Sequence, residues 1–153
     1  MTDVNATSEN RFNVQFSNYK NISDSILSAQ IPEISVPQTL VLYEGCQIKL
    51  AGDNREIGEL TITFKLDENY SNYIELFEWI NGNFVGDSST MTYDSVEYFV
   101  LDAEYRPIFS FTFLNVFPIS LEQIDHQTMT ATADEIEFTC TFGVNDISYN
   151  SSI

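Results

Sequence analysis

The sequence predicts a mainly β protein: two packed antiparallel sheets, a β-sandwich or flattened barrel, with one flanking α-helix. Three observations carry that class. Leu60, Ile62, Phe64 and Leu66 alternate strictly with Glu59, Thr61, Thr63 and Lys65, the period of a half-buried strand. From Asp67 the period changes to that of a helix, with Tyr73, Leu76, Phe77 and Ile80 on one face and Trp79 beside them. Downstream the chain is again strand-like and rich in phenylalanine, in VEYFVLD and PIFSFTFLNVFPISL. A length of 153 residues is enough for a single domain with one hydrophobic core.

The elements follow in order. Residues 1–10 read as a flexible, polar N-terminal arm, and 11–144 as the folded domain. Arg11–Ser17 is a first strand, with Phe12, Val14 and Phe16 alternating against Asn13 and Gln15. A polar loop over Asn18–Asp24 precedes a second strand, Ser25–Ile31. Pro32 and Pro37 bracket an extended piece, since each proline fixes its own backbone angle and restrains its predecessor. Thr39–Tyr43 is a short apolar strand. Glu44–Gly58 is the most loop-like internal region, with a turn signal at Gly52-Asp53-Asn54-Arg55 flanked by Ile48, Leu50 and Ile57. Asp67 is placed to cap the helix, Glu68 complements its dipole, and Asn81-Gly82 supplies a stop. Asn83–Asp94 reads as a loop. Val96–Asp102 and Pro107–Phe117 are strands joined by a hairpin-length connection. Pro118–His126 reads as a crossover with one helical turn at Ser120-Leu121-Glu122. Thr128–Ala133 and Glu135–Val144 form a last antiparallel pair, and 145–153 is a polar tail.

The charge excludes some functions. Asp plus Glu number 23 against 6 Lys plus Arg, a formal net charge of -17. Binding to nucleic acid needs a basic patch that neutralises phosphates, and this composition does the reverse. It suits either simple solubility or a surface that must not hold a polyanion. No apolar run approaches the roughly 20 residues needed to cross a bilayer, so no membrane anchor is expected. The polar N-terminus does not read as a secretory signal.

No catalytic or metal-binding pattern stands out, and neither an enzyme nor a cofactor is expected. The only histidine is His126, so any Ser-His, Cys-His or His-metal site would have to run through it, and no supporting motif surrounds it. Asp53-Asn54 lacks the acidic ladder of a calcium loop. Cys140 lies on the apolar phase of Ile136, Phe138 and Phe142 and reads as a small buried hydrophobe. A Cys46–Cys140 disulfide is open to geometry, which sequence spacing cannot establish.

Two polar features remain. Glu59, Thr61 and Thr63 share a pattern with Glu135, Glu137, Thr139 and Thr141. If the two strands lie in one sheet, its outer face is a Thr/Glu lawn that either meets water or lines a channel. Lys49 and Arg55, with Asp53 between them, concentrate scarce basic charge in the Glu44–Gly58 region. That segment is either an ordinary solvated hairpin or one that reaches a neighbouring acidic copy.

The order of these elements resembles a known family. Phe12-Asn13-Val14-Gln15-Phe16 is followed by Ile31-Pro32-Glu33-Ile34 and a glycine-rich hairpin region. Then come a Leu-Thr-Ile-Thr-Phe strand ending in Asp67-Glu68 and an aromatic helix reaching Trp79. Leu114-Asn115-Val116-Phe117-Pro118 and Glu137-Phe138-Thr139-Cys140-Thr141-Phe142 complete the order. Over about Arg11 to Val144 this is similar to the tail tube proteins of contractile-tailed bacteriophages and related contractile injection systems, including type VI secretion. The resemblance implies a structural subunit that forms hexameric rings stacked into a hollow tube. DNA would pass through the tube without specific binding. The implied partners are further copies of the chain, a sheath protein, and baseplate and tail terminator proteins. The implied setting is the virion tail, assembled in the host cytoplasm. The Thr/Glu residues would then face the lumen, and Lys49, Asp53 and Arg55 would contact the adjacent ring. A tail terminator, a baseplate tube initiator, the tube subunit of a bacterial injection system, or a monomeric ligand-binding β-sandwich are the alternatives.

Overall fold

The computed structural model describes residues 11–52, 55–85, 91–124, 126 and 135–151. Within them the chain forms eleven strands and two helices. The expected N-terminal arm, the Thr128–Ala133 strand and Asp53 lie outside the described residues.

Most of the strands belong to one antiparallel sheet that folds over on itself. Its path starts at β1 (Phe12–Phe16) and runs through β8 (Asp94–Leu101) to β9 (Pro107–Leu121). It continues to β10 (Glu137–Gly143), β7 (Leu60–Lys65) and β2 (Ile26–Gln30), and β11 (Asp146–Asn150) also pairs with β9. The long β9 is shared. Its first part, Pro107–Val116, pairs with β8, and Ser110–Leu114 also pairs with β11; its last residues, Phe117–Leu121, pair with β10. Two layers result, β1-β8-β9-β11 and β9-β10-β7-β2, and they pack face to face without closing into a barrel. Phe16 of β1 meets Phe142 of β10 across the gap, with ring centroids 5.4 Å apart. This is the expected sandwich.

The core follows the alternation. Leu60, Ile62 and Phe64 of β7 and Phe138, Cys140 and Phe142 of β10 are fully buried, and the two strands pair Phe64 with Phe138 and Ile62 with Cys140. Phe64 and Phe138 stack at 5.3 Å. Gly143 leaves room for Phe117, whose ring atom would lie 2.7 Å from any Cβ there.

The helix α2 (Ser71–Val85) covers one side of this core, inserting Leu76 and Trp79. Trp79 packs edge-on to Phe16 and flat against Tyr19, which follows β1 and leads into the short helix α1 (Lys20–Ser23). The connection from β7 to α2 is tied by buried Asn72. Its amide donates to Ser25 Oγ and the Lys65 carbonyl, and its Oδ1 accepts from the Asp67 and Tyr73 amides. Buried Asp94 plays the same part for the chain after β1, accepting from the backbone N–H groups of Asn18, Tyr19 and Ser95.

Several expectations are corrected. The helix starts at Ser71, four residues after Asp67, because Tyr70 takes a left-handed φ of 59° that breaks the helical run. The Asp67 carboxylate accepts from the Ser71 hydroxyl, and this bond holds its pKa below the ordinary value. Asn81-Gly82 does not stop the helix. Trp79 Nε1 and Asn83 Nδ2 both donate to the Thr92 carbonyl, anchoring the last turns well enough to outweigh the glycine cost of about 1 kcal/mol. Phe77, expected on the buried face, is half exposed. The polar loop 18–24 contains α1.

The crossover expected from Pro118 is instead the end of β9. Buried Pro118 sits opposite Phe142 at a register shift, where a strand tolerates a residue with no N–H. The expected polar tail carries β11, held by buried Ile147 opposite Phe113.

The expected hairpin also turns at a different place. β4 (Gln38–Tyr43) and β5 (Cys46–Ala51) pair throughout, and the turn is Glu44-Gly45, both with positive φ, the geometry whose twist matches that of the strands. β3 (Ile34–Ser35) and β6 (Glu56–Ile57) pair below it. Together they form an arm separate from the main sheet.

Truncating Phe142, which touches rings from β1, β7 and α2, should cost about 3–5 kcal/mol. Urea denaturation of Phe142→Ala checks this; a loss under 1 kcal/mol would mean the layers do not meet at that ring.

Candidate functional site

Pairing of β7 with β10 brings the Thr/Glu residues onto one surface. Thr61 lies opposite Thr141 and Thr63 opposite Thr139, and residues directly opposite on paired strands share a face. The Thr63 and Thr139 hydroxyls are 3.2 Å apart. Glu137 lies opposite Lys65, whose ammonium pairs with Glu135 at 2.9 Å. Glu59 is exposed just before β7. The alternate residues of both strands fill the core, so this face points away from it.

The face is wider than the sequence suggested. On β2, Gln30 lies opposite Thr61 and Ser28 opposite Thr63. On β9, Ser120 lies opposite Thr141. Four strands therefore present short hydroxyls side by side, with acids and one lysine toward the ends. The Ser28-Ala29-Gln30 alternation carried that signal. Ser120 was hidden by the expected helical turn after Pro118.

The second surface is the arm. Every residue of β4 and β5 is exposed, including Leu40, Val41, Leu42, Tyr43, Ile48 and Leu50; Leu42 is 75% exposed. A two-stranded ribbon cannot hide these side chains by itself, and among the described residues no layer covers it. Lys49 lies on it, opposite Leu40. Arg55 lies at its base and forms an ion pair with Asp146 of β11 in the same chain. The structure thus ties Arg55 to its own body and leaves Lys49 on the arm.

Chemistry is sparse elsewhere. His126 is exposed and within hydrogen-bond distance of the Tyr70 hydroxyl, at 3.1 Å. Among the described residues no group of three or more His, Cys, Asp or Glu is placed to hold a metal ion. A surface hollow at the start of α2 is lined by Asp24, Lys65, Asp67, Glu68, Asn72 and Glu135, polar groups tied mostly to one another. Both cysteines are free; Cys46 is exposed at the arm tip, and burial pushes the Cys140 thiol up to about 12. No helix among the described residues is long and apolar enough to cross a membrane.

The arm's exposure has a direct chemical check. In the folded monomer one thiol, Cys46, should react with a thiol reagent at neutral pH, and Cys140 only after unfolding, since a buried neutral thiol is a poor nucleophile. Mass mapping of the labelled sites would contradict this placement if Cys46 were protected in the monomer.

No protein-family model matches the sequence, and no curated protein matches it. Solved structures do match the fold. A chain of the sheath–tube complex of an extracellular contractile injection system, PVC, in its extended state aligns with a TM-score of 0.71 at 17% identity, over 92% of this chain and 88% of that one. A chain of the anti-feeding prophage tube terminating cap aligns at 0.78 and 14% identity, over 99% and 95%. A chain of the six-fold symmetrised anti-feeding prophage baseplate aligns at 0.68 and 14% identity, over 98% of each.

Proposed function

We propose that this chain, whose fold is that of tube-type components of contractile injection systems, is a structural subunit that closes into hexameric rings and stacks into a hollow tube. The observation that carries the reading is the bare apolar arm on a domain of this fold. Exposed apolar side chains in such number are stable in solution when another copy covers them. The sheet supplies the second requirement. Among the described residues the β9-β10-β7-β2 layer ends at β2, and pairing such an edge between copies would continue the layer around a ring and remove the aggregation hazard of an open edge.

In that ring the Thr61, Thr63, Thr139 and Thr141 face, with Glu59, Glu135 and Glu137, lines the channel. Short hydroxyls give a smooth wall, and the carboxylates repel a polyanion instead of holding it. DNA or another acidic cargo would pass without specific binding. The arm reaches an adjacent copy through Lys49 and its leucines, while Arg55 at its base stays paired with Asp146 of its own chain. The partners in this reading are other copies of the chain, a sheath around the tube, and baseplate and terminator proteins at its ends, in a phage tail or a related injection machine. The chemistry is assembly, not catalysis.

A second reading is a terminator that caps the tube. The higher TM-score to a chain of the tube terminating cap favours it. Repetition separates the two, because a head-to-tail contact that does not close gives a filament and a cap gives one ring.

Purified protein should form stacked rings by negative-stain electron microscopy at high concentration or on a nucleating baseplate, and deletion of 38–51 should leave single rings or monomers with the far-UV spectrum of a folded sheet. Single rings from the wild-type chain would support the cap; monomers under every condition would overturn both readings. Glu59→Lys or Glu137→Lys should leave tubes intact and slow release of an acidic cargo, since each added cation repeats along the channel.

A further inference from the structure

The two faces of the arm differ in chemistry. On one, Val41 lies opposite Ile48 and Thr39 opposite Leu50; on the other, Leu40 lies opposite Lys49 and Leu42 opposite Gln47. The second face is two exposed leucines beside a cation. Among the described residues Arg55, Lys65 and Arg106 are held in ion pairs within the chain, whereas Lys49, like Arg11 and Lys20, makes none.

Helix α2 carries the matching pattern. Ile74, Phe77 and Phe84 are exposed, Phe84 at 86%, and their spacing of three and seven residues sets them along one outer stripe. Glu75 and Glu78 border this stripe. Beside them a groove of about 180 Å³ is lined by Tyr19, Glu75, Glu78, Trp79, Gly82 and Thr92. Tyr19 and Trp79, stacked on one another with ring centroids 4.1 Å apart, form its apolar side, against which an alkyl stem can lie. Desolvation and then the charge of Glu78 hold the Glu75 carboxyl above its ordinary value. Among the described residues neither glutamate has a basic partner in its own chain, so a cation brought to the groove would relieve the pair.

We propose that the outer face of α2 is the docking site for the arm of a second copy, with Leu40 and Leu42 seated on Ile74 and Phe77 and Lys49 entering the groove between Glu75 and Glu78. The spacings agree: alternate strand residues lie about 7 Å apart, and helix neighbours on one face about 5–6 Å. Both patches are exposed in the monomer, so a chain's own arm does not occupy its own helix. Arm and helix are different surfaces, so each copy gives one arm and receives one, a head-to-tail contact that continues from copy to copy. The inference rests on the tube reading and specifies the contact that reading leaves open.

Charge exchange tests it on the full chain. Lys49→Glu, and Glu75→Lys with Glu78→Lys, should each raise the concentration for half-maximal assembly by roughly tenfold, because each places like charges in contact. Light scattering and electron microscopy measure this, with circular dichroism confirming the fold. The chain carrying all three substitutions should assemble within about threefold of wild type, since the exchange restores opposite charges. Wild-type tubes with single-site variants that assemble equally well, or a triple variant no better than its parents, would overturn the docking while leaving the tube intact. A wild-type chain that never assembles would overturn both.

Discussion

Fifteen residues of extended chain, Pro107–Leu121, pair with β8 and β11 over their first part and with β10 at their end, and nearly every other element takes its place from that strand. The two layers share a backbone there, so their inner faces are brought together by covalent continuity. Phe113 and Val116 on β9 are fully buried in the core between them. Pro118 and the register shift opposite it let the strand leave one layer and enter the other. A break in β9 would separate the layer that holds β1 from the layer that holds β7.

Burial on the inside dictates what is left outside. With Leu60, Ile62, Phe64, Phe138, Cys140 and Phe142 committed to the core, the alternate positions of β7 and β10 must face away, and the chain places threonines and acids there. The arm and the outer stripe of α2 follow the opposite rule, leaving leucines and phenylalanines uncovered. One chain thus carries a surface unsuited to adhesion and two surfaces that call for a partner. That division is what a subunit of a hollow assembly requires, with a passive wall inside and adhesive contacts between copies.

Much of this was legible from residue order. Strict alternation located β1, β7, β8 and β10, and it joined the Thr/Glu residues into one pattern before their pairing was known. What escaped depended on partners distant in sequence. Ile147 and Tyr149 alternate with Asp146, Ser148 and Asn150, but so polar a stretch becomes β11 only because β9 offers it an edge. Pro118 argued locally for a break, and only the register shift against β10 admits it to a strand. Gly82 argued for a helix end that the Thr92 carbonyl overrides. The turn signal at Gly52-Asp53-Asn54-Arg55 drew attention from Glu44-Gly45, although both residues sit where apolar runs meet. Lys49 and Arg55 stand out together in the sequence as concentrated basic charge, but the pairing of Arg55 with Asp146 joins residues far apart in sequence and leaves no local trace.

The central claim is that one face of this sheet is an inner wall. A side-chain-resolution cryo-electron microscopy map of the assembled protein tests it most directly. The account predicts Thr61, Thr63, Thr139 and Thr141 at the innermost radius of the ring, with the arm buried between copies. The same residues at the outer radius, or an arm left in solvent, would contradict it.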